Sequence, residues 1–156
     1  MPDVTRGLLL AVVPALSALC LEQRSGAVCV WCPRVLPSGE GVGLSPDGRL
    51  RACTPCHTIQ ARALATYLDW YDHTVTCLYC PFGPCERGQA LAAQHVAARE
   101  HAGKPELSCV GCRSSIACGE VIRPYLGQGL NRPVYGYLHA RGCPTPTTGR
   151  PAPWGL

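Results

Sequence analysis

The sequence predicts a small metal-stabilised α+β fold, made of tandem modules with short hairpins and two or three helices in total. Twelve of the 156 residues are Cys, and nine of these stand in three groups that each offer four Cys or His ligands. The chain has 17 Gly and 15 Pro but only one Phe and one Met, so a single large hydrophobic core is not expected. Units of this size fold when a bound metal ion adds to the limited apolar burial.

Residues 1–25 predict an apolar N-terminal helix, interrupted at Pro14, that packs on the first module. The apolar run from Gly7 to Leu21 has the length of a signal-peptide core but is too short to span a bilayer. Asp3 lies where a leader is basic and no A-x-A cleavage site follows, so we favour the helix over a secretion signal. Cys20 falls on an apolar face of this segment and is expected to be buried.

Residues 26–72 form the first predicted module, which has a C-x2-C pair on either side of a turn-rich segment. Short strands are predicted at 42–44 and 49–52, because turn residues flank both. From Pro55 onward, apolar residues recur at helical spacing for about 15 residues. The four predicted ligands are Cys29, Cys32, Cys53 and Cys56. A pair on a turn followed by a pair in the first helical turn resembles a treble-clef zinc finger, although the spacing alone also fits a zinc ribbon.

Residues 73–103 form the second predicted module, with a strand at 73–79 and an Ala-rich helix at 86–101. Its predicted ligands are Cys77, Cys80, His95 and His101. The C-x2-C-x14-H-x5-H spacing resembles a C2H2 zinc finger. Two His residues six apart do not face one ion well from an unbroken helix, so an alternative set stays open in which Cys85 replaces a His.

The C2H2 resemblance also assigns base-reading positions on the helix of this second module. Counting back from His95, these positions are Gln94, Leu91 and Gly88. Only Gln94 has a side chain that pairs with a base edge. The resemblance therefore favours a metal site and argues against sequence-specific DNA reading by this helix.

Residues 104–143 form the third predicted module, which is rich in Gly and has a strand at 134–139. Its predicted ligands are Cys109, Cys112, His139 and Cys143. Cys118 is an alternative ligand, although we favour a small buried hydrophobic residue at this position. Residues 144–156 are rich in Pro and are predicted to be disordered or extended.

The ligand sets predict three bound Zn²⁺ ions and a protein without enzymatic activity. Each set supplies the four ligands of a structural zinc site, which leaves no coordination position for a substrate. A disulfide within a C-x2-C pair is strained, so zinc is favoured over disulfides, and a reducing, cytoplasmic location is expected. The sequence has no phosphate loop, no G-x-S-x-G and no H-E-x-x-H motif, and no small-molecule substrate is expected.

Two classes of function are consistent with this array, and nucleic-acid binding, as in a transcriptional regulator, is favoured. It needs an Arg face, and the candidates are Arg49, Arg51, Arg62, Arg123, Arg132 and Arg141. The alternative is a protein-interaction adaptor with an exposed apolar patch, for which residues 8–19 are the candidate. The formal charge of +4 falls to +1 when the predicted zinc sites carry −2, 0 and −1, which keeps the two classes close. A redox or zinc sensor ranks third, and no membrane partner is expected.

Overall fold

A computed structural model describes residues 3–104, 106–128 and 133–143 of the chain. Within these ranges the protein has an α+β fold with four α-helices and two separate two-stranded antiparallel sheets. The helices are α1 (Asp3–Ala11), α2 (Leu21–Arg24), α3 (Thr54–Thr76) and α4 (Glu86–His101). The strands are β1 (Val42–Gly43), β2 (Arg51–Ala52), β3 (Ile122–Gln128) and β4 (Pro133–His139). The small α+β class and its short hairpins are confirmed, whereas the predicted tail, 144–156, lies outside the described residues.

The N-terminal segment consists of two short helices instead of the single helix predicted over residues 1–25. Helix α1 ends three residues ahead of Pro14, because proline lacks the N–H that a helix interior requires. Leu8 and Leu9 are each 1% exposed and pack with Leu64 of α3. The first part of the segment therefore belongs to a core and is not a free apolar patch.

Cys20 is exposed and is the N-cap of α2, so the expectation that it is buried is wrong. Its backbone N–H donates to the side chain of Gln23. The N-cap position points the side chain away from the apolar residues of the segment. Cys118 is likewise exposed, and the expectation of a buried residue there is also wrong.

Helix α3 is longer than predicted and includes residues 73–76, where the sequence suggested the start of a strand. Cys53 caps its N-terminus and Pro55 follows in the first turn, where proline is tolerated. At its C-terminus, the hydroxyl groups of Thr74 and Thr76 donate to carbonyls one turn earlier. Both hydroxyls are thus bonded within the helix, which continues through a segment whose alternating pattern favours a strand and crosses the boundary predicted after residue 72.

The largest aromatic core joins residues from all three predicted modules. Tyr67 and Trp70 of α3 pack in one cluster with Tyr137 of β4, Cys109 and Leu91 of α4. Tyr67 is completely buried, and its hydroxyl contacts backbone carbonyls of both β3 and β4. Helices α3 and α4 and the second hairpin therefore share this core.

The second hairpin contains one strand that the sequence predicted and one that it did not. Strand β4 covers the strand predicted at 134–139, and β3 pairs with it in antiparallel register along its full length. Pro124 and Gly127 weaken the strand pattern of β3, but a two-stranded sheet consists only of edge strands, where proline is tolerated. Gly136 of β4 is also constrained, because a Cβ there would collide with Val110.

Candidate metal centres

Cysteine and histidine side chains converge in three clusters within the described residues. In each cluster the sulfur or nitrogen atoms lie within 4.8 Å of one another. The members are Cys29, Cys32, Cys53 and Cys56; His73, Cys77, Cys80 and Cys85; and Cys109, Cys112 and Cys143. Each cluster has the donor atoms to hold a metal ion, so the prediction of metal-binding modules is confirmed at that level.

The first cluster lies where the turn after α2 meets the N-terminus of α3. Cys29 and Cys32 lie on a turn that is closed by the Cys29 N–H donating to the Arg34 carbonyl at 2.9 Å. Cys53 is the N-cap of α3, and Cys56 follows in the first helical turn. The sulfur atoms of Cys32 and Cys53 are 3.8 Å apart. All four ligands predicted for this site are therefore brought together.

The second cluster connects the end of α3 to the start of α4. His73 and Cys77 are four residues apart at the C-terminus of α3, so both face the same side. Cys80 begins a short 3-10 turn, and Cys85 is the N-cap of α4. The Cys85 sulfur lies 3.1 Å from Nε2 of His73, and 3.9 and 3.8 Å from the sulfurs of Cys77 and Cys80. These four residues form a compact ligand set.

The structure does not bring His95 or His101 to this second cluster, so neither predicted set is formed as written. His95 is 1% exposed and lies in the aromatic core. Its Nδ1–H donates to the Ala63 carbonyl at 3.1 Å, and its Nε2 accepts from the Tyr137 hydroxyl at 2.6 Å. Both ring nitrogens are thus used within the core. His101 lies exposed at the end of α4.

The hydrogen bonds of His95 correspond to a neutral imidazole. Burial, followed by the charge of Arg99, lowers the pKa of His95 to about 4. The Arg99 guanidinium donates to the same Tyr137 hydroxyl at 3.1 Å and lies over its ring. His95 is therefore a structural link between α3, α4 and β4.

The third cluster lies between the turn after residue 107 and the end of β4. The sulfurs of Cys109 and Cys143 are 3.6 Å apart. Nε2 of His139, the last residue of β4, lies 3.3 Å from the sulfur of Cys112. Three of the four ligands predicted for this site therefore form the cluster, and the fourth, His139, contacts it through Cys112.

Glu120 orients His139, a role that the sequence did not predict. The Nδ1–H of His139 donates to the Glu120 carboxylate, which also accepts the Ala117 N–H at 3.1 Å. The hydrogen bond that His139 donates to Glu120 raises the pKa of His139 and leaves Nε2 facing the Cys112 sulfur. Histidine ligands of metal ions commonly have such a carboxylate partner. An acidic residue 19 positions before a predicted His ligand gives no recognisable sequence signal.

The electrostatics of the thiols favour a cation in the third cluster. Backbone N–H donation at Ser114 lowers the pKa of Cys112 to about 6, whereas hydrogen bonding with the Cys109 thiol raises the pKa of Cys143 to about 11. Thiols this close cannot all ionise next to one another, because their negative charges repel. A bound metal ion removes this repulsion and deprotonates all of its thiol ligands.

The loop between Cys77 and Cys85 exposes large apolar side chains. Leu78, Tyr79 and Phe82 are 84%, 75% and 94% exposed. No residue of the loop carries an acidic or basic side chain. Arg123 of β3 donates to the carbonyls of Cys80 and Pro81 at 3.3 and 3.0 Å, which ties the loop to the second hairpin. We call residues 78–84 the apolar loop, and the second cluster lies beneath it.

Comparison of the chain with protein-family models, curated proteins and solved structures finds no match. Within the described residues, no helix combines the length and the apolar character that crossing a membrane requires.

Proposed function

We propose that the protein is a non-enzymatic, zinc-organised adaptor that binds a protein partner through the apolar loop. The observation that carries this proposal is the exposure of Leu78, Tyr79 and Phe82 on a loop fixed by four metal ligands. Large apolar side chains clustered on a surface mark sites of association. A metal ion that closes the loop at both ends would keep these side chains from collapsing into the core.

Zinc fits the three clusters in ligand type and in spacing. Three thiolates with one imidazole, or four thiolates, are ligand sets of structural zinc. Zinc–sulfur bonds of about 2.3 Å in a tetrahedron separate two sulfurs by about 3.8 Å. Four sulfur–sulfur pairs within the clusters lie 3.6 to 3.9 Å apart, and the remaining donor atoms lie within 4.8 Å of one another. When bound, the zinc supplies structural order, and its thiolate ligands require a reducing compartment such as the cytoplasm.

The charge of the zinc-loaded protein supports a protein partner over nucleic acid. The first ligand set would carry −2 and the other two −1 each, because every bound thiol is deprotonated. These sites lower the formal charge from +4 to 0. Nucleic-acid binding depends on many Lys and Arg contacts to phosphate, and a neutral protein gains little from them unless its cations are concentrated on one face.

The arginines proposed for a nucleic-acid face are partly used within the protein. Arg123 is bound to the carbonyls of the apolar loop, and Arg49 lies 3.7 Å from Asp47. Arg132 lies outside the described residues. These contacts occupy guanidinium N–H groups that would otherwise bind phosphate. Nucleic-acid binding is therefore treated as the competing outcome of the test.

Recovery of a partner with matched variants tests the adaptor proposal. We would replace both Leu78 and Phe82 by Ser, and use Leu21→Ser, 76% exposed at α2, as the control. A cross-linkable amino acid at position 79 would report contact with the partner directly. We expect the wild type and the control to retain a protein partner at about 0.1 and 0.5 M salt, since apolar contacts are not screened. The double variant should lose it.

Three results would overturn the adaptor proposal. Recovery of nucleic acid that is released by salt would favour the competing function. Equal recovery by the double variant and the wild type would place the binding surface elsewhere. Absence of a cross-link at position 79 in a complex that does form would do the same.

A further inference from the structure

An open cleft of about 700 Å³ lies beside the turn of the first cluster, and none of its lining residues belongs to the apolar loop. It is bordered by the segment after α1, the start of α2, the turn of Cys32 and the end of α4. Its volume lies in the range of small-molecule sites, about 300–1,000 Å³. With Gln60 of α3, residues from five separate parts of the chain thus line one open cleft.

The one lysine of the chain lies in this cleft. Lys104 follows α4 and is partly buried, and its Nζ donates to the Val12 carbonyl at 2.8 Å. That bond uses one of the three N–H groups of the ammonium. Among the described residues, no carboxylate lies within ion-pair distance of Lys104. A buried cation without an anionic partner is costly, so a bound anion would be stabilised there.

Lys104 remains charged at neutral pH. Burial, followed by the charge of Arg99, lowers the pKa of Lys104 to about 8. This value is still above 7, so the ammonium form predominates in the cell. The lowering reflects burial and the neighbouring Arg99 cation, both of which a bound anion would offset.

The remaining wall of the cleft is mainly apolar and includes a fixed aromatic ring. Val28, Val30, Pro14 and Trp31 line it. The indole N–H of Trp31 lies 3.4 Å from the same Val12 carbonyl that binds Lys104. Because the two groups share one acceptor, the indole ring and the ammonium lie side by side. This arrangement fits a ligand that has an apolar body and one charged end.

We propose that this cleft binds a small monocarboxylic acid with a flat apolar body. The carboxylate pairs with the Lys104 ammonium, and the apolar body packs on Trp31, Pro14 and Val28. Glu22 also lines the cleft, and its negative charge repels any ligand anion that lies closer to it than to Lys104, so the cleft has room for one anionic group, beside the ammonium. The recognition is non-covalent, and it does not depend on the adaptor function.

A pair of matched ligands tests this proposal on the zinc-loaded full chain. The probes are 3-phenylpropionate and its neutral amide, followed by calorimetry and by chemical shifts of the indole N–H groups. A charge-assisted hydrogen bond is worth about 1.5–3 kcal/mol, so we expect the acid to bind at least about 10-fold more tightly than the amide. This comparison needs no variant and is unaffected by folding.

A Lys104→Met variant and chemical labelling locate the site. The variant should bind acid and amide equally, and its zinc content and melting curve show whether it is folded. In the wild type, 3-phenylpropionate should protect Lys104 from acetylation in a mass-spectrometric assay. Equal binding of acid and amide by the wild type would overturn the proposal. Lack of protection at saturation, or no binding on the order of 10 mM ligand, would also overturn it.

Discussion

The first and second clusters use similar ligands in opposite surroundings. Around the first cluster the apolar residues point inward: Cys29 and Cys53 are 0% and 4% exposed and pack with Leu44 and Ala52 in one core. Around the second cluster they point outward, and Phe82 is 94% exposed. A similar ligand set therefore supports a core in one region and a surface in the other.

This difference shows that a metal ion can hold the shape of a segment whose side chains contribute no stability through apolar burial. At the first cluster, a bound metal ion would stabilise the same short hairpin and helix start that apolar packing already holds. The apolar loop gains almost no burial from its side chains, so the ligand bonds and the contact with Arg123 must hold its shape. Loss of the ion should therefore unfold the first region and only release the loop in the second.

The largest expected effect comes from breaking the first cluster. Cys53→Ser removes a candidate ligand that lies in the first core, at the N-cap position of α3 where Ser is itself tolerated. Structural zinc contributes on the order of 10 kcal/mol, comparable with the whole stability of a domain. We expect this variant to lose its cooperative thermal transition in calorimetry. Cys118→Ser, at an exposed site outside the clusters, is the control and should melt like the wild type.

A smaller effect is expected from breaking the second cluster. Cys85→Ser should keep the main thermal transition, because Tyr67 and the aromatic core do not depend on the loop. Amide hydrogen exchange should accelerate over residues 77–88, where Gly88 N–H donates to the Cys85 sulfur. If Cys85→Ser also loses its cooperative thermal transition, the two clusters do not differ in their contribution to stability.

The aromatic core that joins the regions gives the next effect in size. Tyr137→Phe removes the donor to His95 and the acceptor of Arg99, which leaves buried polar groups unpaired. The expected loss of unfolding free energy is about 1–3 kcal/mol in chemical denaturation. Tyr125→Phe is the matched control, because its side chain is 40% exposed. Equal losses in both variants would contradict the role of the hydrogen-bond network.

The same network predicts a pH dependence. The folded pKa of His95 is lowered to about 4, whereas an unfolded histidine has a pKa of about 6.5. Between these two pH values, the unfolded chain binds a proton at His95 and the folded protein does not. The stability of the wild type should therefore fall as the pH falls from 6.5 towards 4. His95→Gln lacks this contribution, so the difference between the two proteins should shrink over that range, as measured by urea denaturation at constant zinc occupancy. A constant difference would show that the folded pKa of His95 is not lowered below its unfolded value.

The smallest effect on stability is expected on the apolar loop. Phe82→Ser removes an exposed side chain, so the unfolding free energy should change by no more than about 0.5 kcal/mol. The same measurement on Leu44→Ser, a side chain of the first core, should show a large loss. A large loss for Phe82→Ser would mean that the loop packs against another part of the chain.

The sequence predicted the first cluster fully because its ligands form two C-x2-C pairs, one of them at a helix start. For the second cluster, Cys77 and Cys80 were predicted and Cys85 was named in the alternative set. His73 was missed because it precedes the cysteines, while the C2H2 resemblance directs attention to histidines that follow them. The H-x3-C spacing at the end of α3 was the signal available for His73. Helix α4 was predicted with its observed bounds. Core packing across the three modules was not predicted, because residue periodicity does not specify which helices meet.

The ligand set of the second cluster is the central claim, and native mass spectrometry of three proteins tests it most directly. The wild type, His73→Ala and His101→Ala would be purified under reducing conditions, and their bound zinc counted. We predict three zinc ions for the wild type and for His101→Ala, and two for His73→Ala. Three ions in His73→Ala with two in His101→Ala would contradict the account and restore the C2H2-type set.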